Sequence, residues 1–251
     1  MGIKTTGIIV PARLGSQRFP RKLLHLVLGK PLILWTAERI RKIAPECPLF
    51  FAVAELELQA VLKSAGFDTL ITDPQLPSGT DRIRVANQHL GFDRVINVQA
   101  DEPLIHSTHI AMLKGLIEQP NTPMATLVQR FQTQEDFQDP HKVKAVISKK
   151  GQALYFSRHP IPFDRDKSIH KDRFSQEPPF GFWHLGLYAY TASFLETFGD
   201  LVPSSLEKLE KLEQLRALEH GYPIRVAETS YRTQGVDVPE DLEPLEKILA
   251  S

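Results

Sequence analysis

A mainly parallel α/β fold with an antiparallel elaboration in its second half is what this sequence predicts. Up to about residue 120, short apolar runs alternate with segments of helical periodicity, the pattern of parallel strands joined by right-handed crossover helices. From Met124 onward, strand-like runs follow one another without long helices between them, which reads as an antiparallel layer. A length of 251 residues suits one large domain with a sizeable core.

Composition narrows the function classes. Lysine plus arginine and aspartate plus glutamate number 30 each, so no overall field favours nucleic acid or a membrane surface, and any anion site must be local. Cys47 is the only cysteine, which excludes an intrachain disulfide and agrees with a reducing cytosol. It sits between Glu46 and Pro48 with no histidine nearby, so a structural role is expected of it. The stretch from Met1 to Gly7 runs into a strand without the apolar region of a signal peptide. No stretch approaches the ~20 apolar residues of a membrane span. The expectation is a cytoplasmic chain that neither binds nucleic acid nor inserts into membranes, without internal repeats.

Taken in order, Ile8-Ile9-Val10 reads as a buried strand stopped by Pro11, which has no amide hydrogen to donate. The loop beyond carries Arg13, Gly15, Ser16, Arg18 and Lys22. Ligands of open α/β sheets bind at the carboxyl ends of strands. Exposed amides, a glycine that allows close approach and three cations suit a triphosphate there. Neither a Walker loop nor a Gly-x-Gly-x-x-Gly turn is present, and on residue type alone a solvated basic loop is an equal reading.

Leu32 to Ile43 then has the periodicity of a helix with one buried stripe, Leu49 to Val53 that of a strand. A helix over Glu57 to Ala65, closed by Gly66, and a strand over Thr69 to Thr72 complete a β-α-β-α-β pattern. Pro77-Ser78-Gly79-Thr80-Asp81-Arg82 turns into a helix expected from Arg82 to His89, with Ser78 or Thr80 as its cap. Val95, Ile96 and Val98 build the next strand, and Asp101 and Glu102 follow at its carboxyl end. A hard cation such as Mg²⁺ takes one or two carboxylates together with substrate phosphates. The alternative is a loop acid serving the next helix, Thr108 to Glu118.

In the second half, Met124–Phe131, Val143–Ile147, Leu154–Phe156 and Phe182–Tyr190 are the predicted strands, with Lys149-Lys150-Gly151-Gln152 a hairpin turn. Asp164 to Pro179 is polar and reads as a mobile loop. Leu206, Leu209, Leu212, Leu215 and Leu218 recur every three residues. On a helix of about 3.6 residues per turn such a row drifts around the cylinder, which predicts one helix covered on several sides. Pro223 to Glu228 reads as another strand, and Gly235 to Leu242 opens the last helix.

Order adds what composition does not. Residues 11–22 read Pro-Ala-Arg-x-x-Ser-x-Arg-x-Pro-x-Lys, followed by Gly29-Lys30-Pro31-Leu32-Ile33. Ser78-Gly79-Thr80-Asp81-Arg82, Val98-Gln99-Ala100-Asp101-Glu102-Pro103, Tyr155-Phe156-Ser157-Arg158, His184-Leu185-Gly186-Leu187-Tyr188, Glu213-Gln214 and Gly235-Val236-Asp237 come next in that order. This series resembles the sugar cytidylyltransferases, most closely the CMP-Kdo synthetases (3-deoxy-manno-octulosonate cytidylyltransferases), from Ile9 to Leu242.

The resemblance implies a Rossmann-like three-layer nucleotidyltransferase fold, a single domain over 1–251. Residues 1–120 would form the CTP-binding half, 121–230 the acceptor-binding and dimerisation region, and 231–251 the segment with a metal aspartate and the last helix. It implies transfer of a cytidylyl group from CTP to the anomeric hydroxyl of 3-deoxy-D-manno-octulosonate (Kdo), releasing pyrophosphate, for lipopolysaccharide biosynthesis. Arg13, Ser16, Arg18, Lys22, Ser78, Gly79, Thr80 and Arg82 would bind CTP, and Asp101 and Asp237 would hold Mg²⁺. Arg13, Lys22, Asp101 and Asp237 would carry the chemistry. Gln99, Arg158, His184, Tyr188, Glu213 and Gln214 would face the acceptor, and the protein would be a homodimer.

Without the family, these residues read more plainly. Arg158 has the planar fork that suits a carboxylate, His184 is a satisfied, partly buried histidine, Glu213-Gln214 lie on a helix surface, and Asp237 is a cap before Pro239. Four positions depart from the family pattern. Arg21 and Ala100 replace glycines, Val85 stands where an acid is common, and Val53-Ala54-Glu55-Leu56 replaces Val-Ala-Thr-Asp. They leave open another acidic sugar, such as 8-amino-Kdo or a sialic acid, and a non-catalytic CTP-binding regulator.

Overall fold

In the computed structural model, which describes residues 5–16, 18–163, 165, 181–233 and 235–250, the chain divides into two compact units, Met1–Ala111 with Arg232–Ser251 and Met112–Tyr231. Apart from residue 165, the polar stretch expected as a mobile loop over Asp164 to Pro179 lies outside the described residues.

In the first unit, β1 (Thr6–Ala12) lies between β4 (Leu49–Val53) and β6 (Arg94–Asn97), β5 (Asp68–Ile71) flanks β4, and these three pairings are parallel. Burial on both faces explains the unbroken apolar runs, since Ile8, Ile9, Val10, Phe51, Ala52, Val53, Val95 and Ile96 are fully enclosed. Pro11 does not stop β1, contrary to expectation; it lies inside the strand opposite Ala52. The reason is directional. Ile8 N donates to Pro48 O and Ala12 O accepts from Ala54 N, so the even residues bond toward β4 and Pro11 faces the β6 side. There the pairing ends at Ile9 with Asn97, so the missing proline donor deprives no partner.

The helices of this unit follow the sequence pattern closely. Two short strands, β2 (Leu26–Val27) and β3 (Lys30–Pro31), lead into α1 (Leu32–Ile43), which buries Leu32, Ile33, Thr36, Ala37 and Ile40 as one stripe. After β4 comes α2 (Leu56–Ser64). Next, α3 (Gly79–Leu90) starts earlier than the expected Arg82, because Ser78 Oγ accepts the Asp81 amide at 3.1 Å and caps it there. It ends at Gly91, whose φ of 72° is the left-handed conformation a glycine adopts freely. After residue 231 the chain returns to this unit. Val236 and Leu245 form a buried cluster with Val27 and Leu32, against which Trp35 and Leu104 pack. Leu245 belongs to α9 (Leu242–Leu249). Asp237 does not cap this return as its plain reading held; Asp241 does, its Oδ2 accepting the amides of Asp237 at 2.7 Å and Val238 at 3.0 Å.

The chain enters the second unit along α4 (Ser107–Ile117). There β7 (Met124–Arg130) pairs antiparallel with β10 (Phe182–Thr191) and parallel with β11 (Ile224–Glu228). β8 (Lys144–Ile147) and β9 (Ala153–Ser157) form the expected hairpin, with Gly151 N donating to Ser148 O at 3.0 Å, and β8 also pairs with β10. The strand-only reading overlooked α5 (Gln134–Gln138) and α6 (Ala192–Asp200), started by the Thr133 and Thr191 side chains.

The leucine row is the main correction. It forms two helices, α7 (Ser205–Glu210) and α8 (Gln214–Glu219), broken at Lys211 with φ 55°. Ser204 and Glu207 close a capping box at the start of α7, and Arg216 of α8 folds back onto Glu207 at 2.5 Å and 2.8 Å. Leu212 and Leu215 are buried, whereas Leu209 is 80% exposed, so the row has no common environment. Among the described residues no helix is long and apolar enough to cross a membrane.

This packing predicts that Leu245→Ala lowers the unfolding free energy by about 2–5 kcal/mol in urea titrations, the scale of a buried leucine truncation. Leu209→Ala should change it by less than about 0.5 kcal/mol, as expected of an exposed position.

Candidate active site

At the carboxyl ends of the parallel strands, the loop after β1 is pinned from below and open above. Glu55 accepts the Leu14 amide at 3.1 Å and 3.2 Å, and Leu14 O in turn accepts the amides of Ser16 and Arg21. Arg13 and Gly15 are exposed, and a Cβ added at Gly15 would meet nothing within 4 Å. Ser16 Oγ accepts the Phe19 amide at 3.4 Å. One departure from the family pattern lies here: Arg21 holds a left-handed φ of 60°, which favours the family's glycine, and its guanidinium pairs with Glu57 at 2.6 Å.

The expected nucleotide cap beside this loop is built around Arg82, which is 2% exposed. Its Nη1 donates to Thr72 Oγ1 and, at 3.2 Å, to Asp73 O, while Nη2 is buried without a hydrogen-bond partner. Burial, then the charge of Arg13, holds this guanidinium below its ordinary range. Ser78 and Thr80 are buried, and a Cβ at Gly79 would make only ordinary contact with Pro11 at 3.5 Å.

The loops after β1 and β6 and the returning carboxyl-terminal segment meet at one ammonium group. Lys22 Nζ lies 2.5 Å from Asp101 Oδ2, 2.6 Å from Val236 O and 3.3 Å from Asp237 Oδ1, and Arg18 reaches the same Asp237 oxygen at 3.0 Å. Burial alone would lower the Lys22 ammonium, but the two carboxylates outweigh it and hold it above its ordinary value. Thus Arg18, Lys22, Asp101 and Asp237 come together, with the cations on the carboxylates.

Sequence reasoning gave no role to two further groups here. Glu102 accepts from the Thr233 hydroxyl, and burial, with the charges of Asp101 and Asp237 added, pushes its carboxyl up to about 8. Glu102 was visible as the second of two adjacent acids; Thr233 carried no signal. Among the described residues no group of three or more His, Cys, Asp or Glu forms a ready metal cage. The pair Asp101 and Asp237 has the donor chemistry for Mg²⁺, because that ion commonly takes only one or two protein carboxylates together with substrate phosphates.

The second unit holds the residues expected to face an acceptor. The Thr126 hydroxyl donates to Leu187 O at 2.7 Å, so at 2.9 Å His184 Nε2 must be the donor to Thr126 Oγ1, which fixes the neutral Nε2–H tautomer. Burial lowers His184 to about 3. Its ring lies 5.2 Å from that of Tyr188, whose phenol is raised by burial and by the neighbouring Tyr190 and Glu213. Gln214 is buried and its Nε2 has no hydrogen-bond partner. Arg158 is engaged differently: Nε donates to Glu210 O at 2.8 Å and Nη1 to Pro140 O at 3.2 Å. Lys144, which sequence reasoning passed over, is fully buried and donates to Asp139 O at 2.6 Å and Arg158 O at 3.0 Å, holding that corner of the chain. Gln99 lies in the first unit, where its carbonyl accepts the Glu102 amide at 3.3 Å.

The family described as cytidylyltransferase matches residues 7–229, nearly the whole of this framework. The chain belongs to that family. A 3-deoxy-manno-octulosonate cytidylyltransferase of Syntrophobacter fumaroxidans is 45% identical over 246 residues, 96% of each chain. An 8-amino-3,8-dideoxy-manno-octulosonate cytidylyltransferase of Shewanella putrefaciens is 43% identical over 249 residues, 97% of this chain and 98% of that one. Among solved structures, CMP:2-keto-3-deoxy-manno-octonic acid synthetase complexed with CTP superposes with a TM-score of 0.88 at 33% identity, over 98% of this chain and 99% of the other. The Rossmann-like nucleotidyltransferase fold is therefore that of this cytidylyltransferase, with the Lys22 cluster at the carboxyl ends of its parallel strands.

The buried, neutral His184 sets a pH dependence. Below about pH 6.5 the unfolded chain protonates this residue and the folded one does not, so stability falls as pH drops toward the folded value of about 3. The wild type minus His184→Gln difference in unfolding free energy should shrink by about 2 kcal/mol between pH 7 and pH 5 in urea titrations. Glu102, shifted in the opposite direction, contributes equally to both proteins and cancels in that difference.

Proposed function

We propose that this cytidylyltransferase transfers a cytidylyl group from CTP to the anomeric hydroxyl of Kdo, giving CMP-Kdo and pyrophosphate for lipopolysaccharide biosynthesis. The observation that carries the reading is the sharing of Lys22 between Asp101 and Asp237, two carboxylates far apart in sequence brought to the ligand edge of the sheet. The relatives named for this activity support the acceptor.

Asp101 and Asp237 are the residues that would hold Mg²⁺, which when bound supplies charge stabilisation at the α-phosphoryl oxygens. Arg13, Arg18 and Lys22 neutralise the triphosphate, with Ser16, Ser78, Gly79, Thr80 and Arg82 around the nucleotide. Gln99, Arg158, His184, Tyr188, Glu213 and Gln214 orient the sugar. The anomeric oxygen attacks the α-phosphorus, the bond to the β-phosphate oxygen breaks, pyrophosphate leaves, and the hydroxyl proton passes to solvent. Positioning and electrostatics carry the rate, with no covalent work asked of the protein. The reading includes a cytoplasmic homodimer that uses neither nucleic acid nor membrane insertion, which the balance of 30 basic and 30 acidic residues favours.

A second reading keeps the mechanism and replaces the sugar by its 8-amino analogue, because relatives carrying that name reach 43% identity, between the 42% and 45% of relatives named for Kdo.

Asp101→Asn should lower kcat at least ~100-fold, the scale of losing one charge-stabilising group, while CTP affinity by calorimetry stays within a few-fold. An unchanged kcat would remove Asp101 from the mechanism. Initial rates of pyrophosphate release from CTP and Mg²⁺ should require Kdo and fall to background with EDTA. The 8-amino sugar and sialic acid in the same assay decide the acceptor, since a site built to bond a hydroxyl rejects an analogue lacking it by up to ~10⁴-fold. CTP binding without release for any sugar would leave the regulator.

A further inference from the structure

Asp237 is the last part of the cluster to be supplied by the chain, and besides Arg18 and Lys22 on its carboxylate, its segment is held by contacts outside the cluster. The returning segment meets the loop after β6 at three successive points. The Thr233 hydroxyl donates to Glu102 Oε2 across 131 residues of sequence. Gly235 passes so close that an added Cβ would stand 2.9 Å from Glu102 Oε1. The Val236 amide donates to Asp101 O at 3.1 Å. On the far side of this contact, Val236 O and the Asp237 carboxylate receive Lys22.

The apolar anchor of this segment, Val236 and Leu245 against Val27 and Leu32, fixes its depth but not its rotation, because hydrophobic contact is non-directional. Direction must come from hydrogen bonds and close packing, and the Glu102 carboxylate faces the segment with both oxygens. We infer that Glu102, through Thr233 and Gly235, is the positioning residue that sets the Asp237 carboxylate beside Asp101 and Lys22. This rests on the reading of Asp237 as a catalytic carboxylate, and it gives the second of the two adjacent acids a task distinct from that of the first.

Glu102→Ala, Glu102→Gln, Thr233→Val and Asp237→Ala, each in the full-length protein, test it. In the CTP and sugar assay, Glu102→Ala and Thr233→Val should lower kcat by about 10–100-fold with KM for CTP within about threefold, the range found when a group supporting a ligating residue is removed. Glu102→Gln, which keeps an acceptor oxygen and the shape of the side chain, should recover most of that loss. Hydrogen exchange on the metal-free, nucleotide-free protein should quicken at the amides of residues 235–238 in both deletion variants and stay unchanged elsewhere. Should Glu102→Ala fail to fold, Thr233→Val, which removes a single hydroxyl, decides. Wild-type kcat in Thr233→Val beside an inactive Asp237→Ala overturns the positioning and leaves the mechanism standing. Exchange that quickens throughout the protein also overturns it, and a fully active Asp237→Ala overturns both.

Discussion

Lys22 Nζ donates to Asp101 at 2.5 Å, to Val236 O at 2.6 Å and toward Asp237 at 3.3 Å, so all three of its hydrogens face partners drawn from two other segments of the chain. Without that ammonium the paired carboxylates would repel each other at the edge of a low-dielectric sheet. With it, the loop after β1, the loop after β6 and the return after residue 231 converge on one point. The parallel sheet makes this possible, because it delivers the carboxyl ends of β1 and β6 side by side. The pair would in turn be incomplete without the apolar seat of Val236 and Leu245, which holds the returning segment in place.

The second unit reaches definite geometry by saturating buried polar groups. The Thr126 hydroxyl links His184 to Leu187 O and thereby selects one tautomer, and Lys144 gathers the carbonyls of Asp139 and Arg158. Such groups are expensive to leave unpaired in a low dielectric, so each bond narrows the conformations available to the residues next to it. Arg158 illustrates the outcome: much of its donor fork is directed at main-chain carbonyls of Pro140 and Glu210. Gln214 is the contrasting case, a buried amide whose nitrogen has no hydrogen-bond partner, and so a group with a donor to offer.

Departures from the family pattern are intelligible as local exchanges. Arg21 takes a backbone conformation for which glycine is the easier choice, and gains an ion pair with Glu57 in the first turn of α2. Glu55 ties the Leu14 amide to the end of β4. Both act on the scaffold of the first loop and leave Arg13 exposed and Gly15 open above it. Nothing in the structure explains Val85.

Local chemistry was legible from the chain itself. The apolar runs marked the parallel strands because strands covered on both faces leave no room for polar residues, and helical periodicity marked α1 from Leu32 to Ile43. The loop cations and Asp101 could be placed at strand ends because chain direction in a parallel sheet follows from its crossovers. The leucine row was misread because its spacing carries no information about Lys211, where a backbone turn and the Arg216–Glu207 pair divide one helix into two. Pro11 was misread because the side to which a residue's amide points depends on the neighbouring strands. By itself, then, the sequence determined most of the elements, the strand-end edge of the parallel sheet and the residue types placed there. Only the tertiary structure decided that Lys22 stands between Asp101 and Asp237 and that Glu102 meets Thr233, since contacts across more than a hundred residues arise from packing and leave no periodicity to read.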